Sequence, residues 1–157
     1  MEAVAIDVRD GDNTAAWWFL DALVVEHRVA PQMAGVVLEM TLPVGHSPAL
    51  HIHETLDDTW YVIDGRMAAR CGDDEFVIND GDWVSMPRGV PHTFRVMSET
   101  AVVLGVMTPG RFETIFRELG VPAARRTLPD PGTVPFDVPR VMEEQRRRGT
   151  EVVGPPM

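Results

Sequence analysis

The sequence predicts an all-β fold, a sandwich or barrel of short strands followed by a helical segment. Three observations predict it. From about residue 14 to 108, short apolar or alternating runs recur at roughly even spacing. Glycine and proline, thirteen of each in 157 residues, punctuate those runs where the chain must reverse. Beyond residue 108 the apolar period changes to that of a helix.

The first three strands are read in "TAAWWFL", "ALVVEHRV" and "AGVVLEMTL", with "PVG" closing the third. Seven more follow in "ALHIH", "DTWYVID", "RMAARC", "EFVI", "DWVSM", "HTFRV" and "AVVLGVM", separated by Gly65, "GDDE", "NDGD" and "PRGVP". In "GRFETIFRELG", Phe112, Ile115, Phe116 and Leu119 recur at i, i+3, i+4 and i+7, which predicts a helix stopped by Gly120 and Pro122. Residues 121 to 139 are proline-rich and read as a connector to a second short helix at about 140 to 148, then the tail "TEVVGPPM". The expected organisation is a single domain, with N-terminal strands and barrel over 1–108. A helical extension over 109–157 packs on that barrel.

Composition narrows the function. A formal net charge of −10 argues against nucleic-acid binding, which needs clustered positive charge. The one basic run, Arg146-Arg147-Arg148, is answered by Glu143 and Glu144 at helical spacing and reads as a solvated helix face. Cys71 is the only cysteine, so no intrachain disulfide forms and a reducing cytoplasm is expected. The start, "MEAVAIDVRD", lacks the apolar stretch of a signal peptide, and "AVVLGVM" is too short to span a bilayer. Neither membrane nor nucleic acid is expected as a partner.

The chemistry-bearing residues lie in "HIHETLDDTWYVIDG". Strand side chains alternate faces, so His51 and His53 point the same way, and Asp58, Trp60 and Val62 share one face of the next strand. Pairing of these two strands would converge the imidazoles and a carboxylate. His92 follows the turn in "MPRGVPHTF" and is the fourth candidate. Three neutral imidazoles and a carboxylate suit iron, nickel, manganese, cobalt, copper or zinc rather than calcium or magnesium.

These residues carry a resemblance. Gly45, His51, His53, Asp58 and Gly65 match the first motif of the cupin superfamily, G-x5-H-x-H-x4-(acid)-x6-G. Gly81, Pro87, Gly89 and His92 match the second, G-x5-P-x-G-x2-H. The flanks "WWFLDALVVEHRV", "PGRFETIFRELGVPA" and "EVVGPP" resemble those of the quercetinase-like, single-domain bacterial cupins. The resemblance implies a jelly-roll β-barrel with a metal inside, held by His51, His53 and His92 with Asp58 at the acidic ligand position, and commonly a homodimer.

Two positions depart from the family pattern. Asp58 stands where cupins usually carry glutamate and is shorter by one carbon–carbon bond, roughly 1.5 Å. The strand then comes closer, a water bridges, or three histidines hold the metal alone. Val96 stands where an asparagine commonly follows the second motif.

The expected function is a metal-dependent enzyme acting on a small, largely apolar phenolic or polyketide-like metabolite. Asp58 is the candidate catalytic base, and oxygenation of the dioxygenase type is favoured over cyclisation, isomerisation or elimination. The alternative is a non-catalytic small-molecule binding or sensor barrel. Met40, Trp60, Trp83, Met86, Phe94 and Met107 read first as core and second as lining of a substrate pocket. His46, in the loop "GHSPAL", is expected to be exposed, though within reach of a bound substrate.

Overall fold

The computed structural model describes residues 14–27, 34–109 and 111–157. The N-terminal "MEAVAIDVRD" and the last two residues of the predicted strand "ALVVEHRV" lie outside the described residues. Twelve strands and two helices follow one another: β1 (Thr14–Phe19), β2 (Ala22–His27), β3 (Val36–Pro43), β4 (Leu50–His53), β5 (Asp57–Asp64), β6 (Arg66–Cys71), β7 (Asp74–Asn79), β8 (Trp83–Met86), β9 (His92–Val96), β10 (Thr100–Thr108), α1 (Thr114–Leu119), β11 (Val121–Pro122), α2 (Val138–Arg147) and β12 (Thr150–Gly154). All ten predicted strands are present, displaced by a residue or two at their ends. The pairings are antiparallel throughout and form a seven-stranded sheet, β11-β1-β2-β3-β10-β5-β8, and a five-stranded sheet, β12-β4-β9-β6-β7. This is the jelly-roll architecture expected from the motifs.

Alternation builds the core. In β3, Val36, Leu38, Met40 and Leu42 are buried while the residues between them are less so, and β10 repeats the pattern through Ala101, Val103, Gly105 and Met107. These strands pair along eight residues, Thr100↔Pro43 to Met107↔Val36, so both apolar faces point into the space between the sheets. Gly105 keeps that space open for larger neighbours. A Cβ there would meet Met40 Cε at 3.3 Å and Trp60 Cδ1 at 3.7 Å, and Gly105 is the register partner of Trp60. Gly65 must be glycine for two reasons: its φ is +100°, and a Cβ would lie 2.5 Å from the Thr100 carbonyl oxygen.

The structure corrects several expectations. β4 and β5 do not pair. They belong to opposite sheets, with β4 between β9 and β12 and β5 between β10 and β8, so the histidines and Asp58 face each other across the interior. The segment read simply as a tail holds a strand, Thr150–Gly154, which pairs with β4 in the five-stranded sheet. Arg148 is no solvated side chain. It is 12% exposed, bonds Glu144 at 2.6 Å and Glu118 at 2.8 Å, and so ties α2 to α1. Arg146 and Arg147 do pair with Glu143 and Glu144 on an exposed helix face as expected. Among the described residues no helix is long and apolar enough to cross a membrane.

Candidate metal centre

His51 and His92 are register partners on β4 and β9, so their side chains leave the same face of the sheet side by side. Their ring centroids are 4.5 Å apart. His53, two residues along β4, adds a third ring 4.8 Å from His51 and 5.2 Å from His92. One ligand nitrogen from each of the three lies within 4.8 Å of the others. The turn that delivers His92 is pinned to β4, since the Gly89 N–H donates to the His53 carbonyl at 2.8 Å. Gly89 has φ +77°, a conformation that makes this short reversal accessible to glycine.

Each ring is oriented through its other nitrogen. His51 Nδ1 donates to the Ala49 carbonyl at 2.8 Å, and His92 Nδ1 to the Val90 carbonyl at 2.9 Å. A carbonyl can only accept, so these two rings carry their proton on Nδ1 and present a bare Nε2 lone pair. His53 Nδ1 meets the Thr150 hydroxyl at 2.8 Å, a partner that accepts as readily as it donates. His92 Nε2 is buried without any hydrogen-bond partner, a costly arrangement unless the atom has another ligand.

Electrostatics favour the ligand form. Burial, and then the neighbouring His92, hold His51 down to about 4. Burial, then His51 and His92, hold His53 down to about 3. His92 is lowered too, mainly by burial. All three are therefore neutral near pH 7. An oriented cluster of three neutral imidazoles with an orphaned, inward nitrogen fits a divalent transition metal.

Asp58 does not join this cluster. It is 3% exposed, and one carboxylate oxygen accepts from Trp60 Nε1 at 2.6 Å. Burial pushes its pKa up to about 7, against a smaller downward effect of the Trp60 bond. Of the readings open for the shorter side chain, the three-histidine set is the one this geometry favours. Asp57 points outward, as strand alternation requires, and Arg88 grips it through its backbone N–H and guanidinium at 3.0, 3.1 and 2.6 Å. Those bonds hold Asp57 down to about 2.

The apolar candidates divide. Met40, Trp60, Met86, Phe94 and Met107 are all buried in the interior, with Trp60 edge-on to Phe94 at 4.5 Å. Trp83 is not among them: it is 60% exposed and packs beside Tyr61 on the outer face at 6.1 Å. The alternation of the edge strand β8 sends Met86 inward and Trp83 out. His46 also departs from expectation. Its side chain is 13% exposed, bonded to Asp21 at 2.5 Å and stacked on Phe94 at 5.9 Å.

Two residues of the site were not singled out in the sequence. Thr150 orients His53 from 97 positions away, and Phe112 lies edge-on to His53 at 5.2 Å and to Phe116 at 6.0 Å. "TEVVG" was read only as part of the tail, although its β-branched run is the kind that favours a strand, and nothing in the sequence points to its partner. Phe112 was read as part of a helix, yet it precedes α1 and packs edge-on against His53.

The comparisons with known proteins agree with this geometry. Residues 38–108 match the cupin domain family model. Quercetin 2,3-dioxygenase of Bacillus subtilis (strain 168) is 30% identical over 121 residues, covering 76% of this chain and 35% of that protein. Quercetin 2,3-dioxygenase of Aspergillus japonicus is 35% identical over 91 residues, covering 52% of this chain and 26% of that protein. The chain thus spans about a third or less of the length of these curated relatives. A solved cupin-2 domain protein from Rhodospirillum rubrum superposes with a TM-score of 0.57 at 13% identity, covering 83% of this chain and 82% of that one, a likeness of fold. Two motifs in order, a two-sheet barrel around three histidines and quercetinase relatives converge on one assignment: residues 38–108 are a cupin domain.

Proposed function

We propose that the protein is a metal-dependent cupin enzyme that acts on a small, largely apolar phenolic or polyketide-like metabolite, with oxygenation as the favoured outcome. The observation that carries this reading is the histidine cluster itself, three rings anchored through Nδ1 with His92 Nε2 buried and unpartnered. Iron, nickel, manganese, cobalt, copper or zinc would be held by His51, His53 and His92. When bound, such a metal supplies Lewis-acid activation of a substrate oxygen and, if redox-active, access to dioxygen chemistry.

The chain supplies the remaining functions. Asp58 is the general base: raised to about 7, it sits near the pH at which a carboxylate both exists and holds a proton well. Trp60 Nε1 fixes one of its oxygens and leaves the other for the substrate hydroxyl. Thr150, Ala49 and Val90 hold the imidazoles in orientation. Phe112, together with Met40, Met86, Phe94 and Met107, provides the apolar surroundings that exclude water. Quercetin is the probe suggested by the relatives. Oxygen uptake with quercetin by the metal-loaded protein is expected in wild type and reduced at least tenfold in Asp58→Asn, while metal content is unchanged. Uptake equal in both proteins would remove Asp58 from the reaction.

A second reading, a non-catalytic small-molecule binding cupin, is favoured by one observation: Asp58 turns to Trp60 rather than to the histidines. Ligand binding without turnover of any tested phenol would support it. The homodimer belongs to this proposal as well. Tyr61, Ile63 and Trp83 are exposed on the outward face of β5 and β8, and among the described residues β8 is an edge strand.

A further inference from the structure

A groove on the surface lies outside the histidine cluster. It measures about 690 Å³, within the range of small-molecule sites. Its walls are mostly apolar, including Leu20, Val44, Pro48, Leu128, Val134 and Phe136. Val44 is 62% and Phe136 49% exposed into it. The polar groups lining it are Asp21, His46, Ser47 and Asp130, and among the described residues no arginine lines it.

Both walls are built in advance. On one side the β3–β4 loop is tied to the end of β9, with Val44 N–H donating to Glu99, Gly45 N–H to Val96 and Val96 N–H to the His46 carbonyl, at 2.9, 3.0 and 3.0 Å. On the other, Trp18 Nε1 donates to the Thr127 carbonyl at 2.8 Å. The turn at Asp130 is closed by the Thr133 hydroxyl at 2.7 Å.

Between the walls stands a His–Asp pair. His46 Nδ1 bonds Asp21 Oδ1 at 2.5 Å, and the ring lies nearly parallel to Phe94, at 29° and 5.9 Å. The imidazole is thereby fixed in tautomer and plane. Among the described residues the other nitrogen, Nε2, has no partner, and His46 lines the groove. The bond from His46 holds the Asp21 carboxyl below its ordinary range.

We infer that this groove is a small-molecule binding site for a neutral, apolar molecule bearing a hydroxyl group, oriented by a hydrogen bond from that hydroxyl to His46 Nε2. The charges select the class. An anionic ligand would meet Asp21 and Asp130 with no cation lining the groove, and Asp130 already occupies Arg125 at 2.8 Å. A neutral hydroxyl can donate to or accept from an imidazole nitrogen, so it pairs with Nε2 while Asp21 holds Nδ1. The inference does not depend on the metal, because the groove shares no residue with the histidine cluster.

The test is calorimetric titration of the full chain with 1-naphthol, as purified and after chelator dialysis, with 1-naphthoate as the anionic comparator. A saturable site for 1-naphthol that survives both dialysis and the His51→Ala, His53→Ala double substitution is expected, distinct from any binding at the metal centre that those treatments abolish. Loss of one hydrogen bond corresponds to about tenfold in affinity. His46→Ala is therefore expected to bind about tenfold more weakly, and His46→Gln, which keeps an acceptor, to recover part of that loss. Circular dichroism and thermal unfolding establish that each variant is folded. The inference is overturned by an absence of saturable binding in folded wild type or by equal affinity in His46→Ala. It is also overturned by tighter binding of naphthoate than naphthol, or by loss of binding in the metal-site double variant, which would put the ligand in the barrel.

Discussion

Asp58 is a carboxyl group whose burial keeps a proton on it through the pH range in which ordinary carboxylates are charged. In the metal-free protein its folded pKa of about 7 stands above the ordinary value of 3.8. The folded state therefore holds a proton that the unfolded state has released. The stability this contributes is complete below pH 3.8 and is lost as pH rises through 7. The amide introduced by Asp58→Asn does not titrate and can still accept from Trp60 Nε1. Urea unfolding of metal-free protein between pH 5 and 9 is thus expected to favour Asp58→Asn increasingly as pH rises, by roughly 3 kcal/mol across that range. A constant difference across that range would refute the raised pKa. The neighbouring Asp57 behaves oppositely, held down to about 2 by Arg88, so one strand carries two adjacent carboxyls with separate roles. Thr150 offers a second test at this scale. Thr150→Val deletes the hydroxyl that orients His53, and outer partners of this kind are worth about 10–100-fold in metal affinity. Chelator competition is expected to show that loss in Thr150→Val and little of it in Thr150→Ser. Equal affinity in all three would make the hydroxyl contact incidental.

Among the elements, β3 and β10 were the most legible. Their apolar runs marked the strands within two residues of the observed ends, and alternate residues along both are buried. Leu38, fully buried at their interface, is a place where the cost of error is calculable: Leu38→Ala is expected to lower unfolding stability by about 2–5 kcal/mol, measured from the urea midpoint. A change under about 1 kcal/mol would mean that this seam is loosely packed. Pairing was less legible than the strands themselves. "ALHIH" and "DTWYVID" are adjacent in sequence and share a pattern, yet they fall in different sheets, because a jelly roll joins strands across the barrel. The register His51↔His92 that assembles the site joins residues far apart in the chain, and no local periodicity encodes it. Nor did "TEVVG" declare that β12 would lie against β4 and carry Thr150. Trp83 misled for a related reason: a large aromatic reads as core, but an edge strand places alternate residues in solvent.

Across the whole molecule, the two motifs carried the fold and the three histidines, while the second half of the chain supplied what they did not contain. Phe112, Thr150 and the wall of the groove over residues 128–136 all come from beyond residue 108. The outward patch of Tyr61, Ile63 and Trp83 gives the proposed homodimer a specific test. Trp83→Glu is expected to convert a sedimenting dimer to monomer with no change in thermal stability of the folded chain, and a wild type that sediments as monomer would contradict the assignment. The central claim is that His51, His53 and His92 hold a transition metal. Elemental analysis of the protein purified without a histidine tag, beside the His51→Ala, His53→Ala double variant, tests it most directly. The account predicts nearly one equivalent of a transition metal in wild type and almost none in the variant. Little metal in folded wild type even after reconstitution, or equal metal in both proteins, would contradict it.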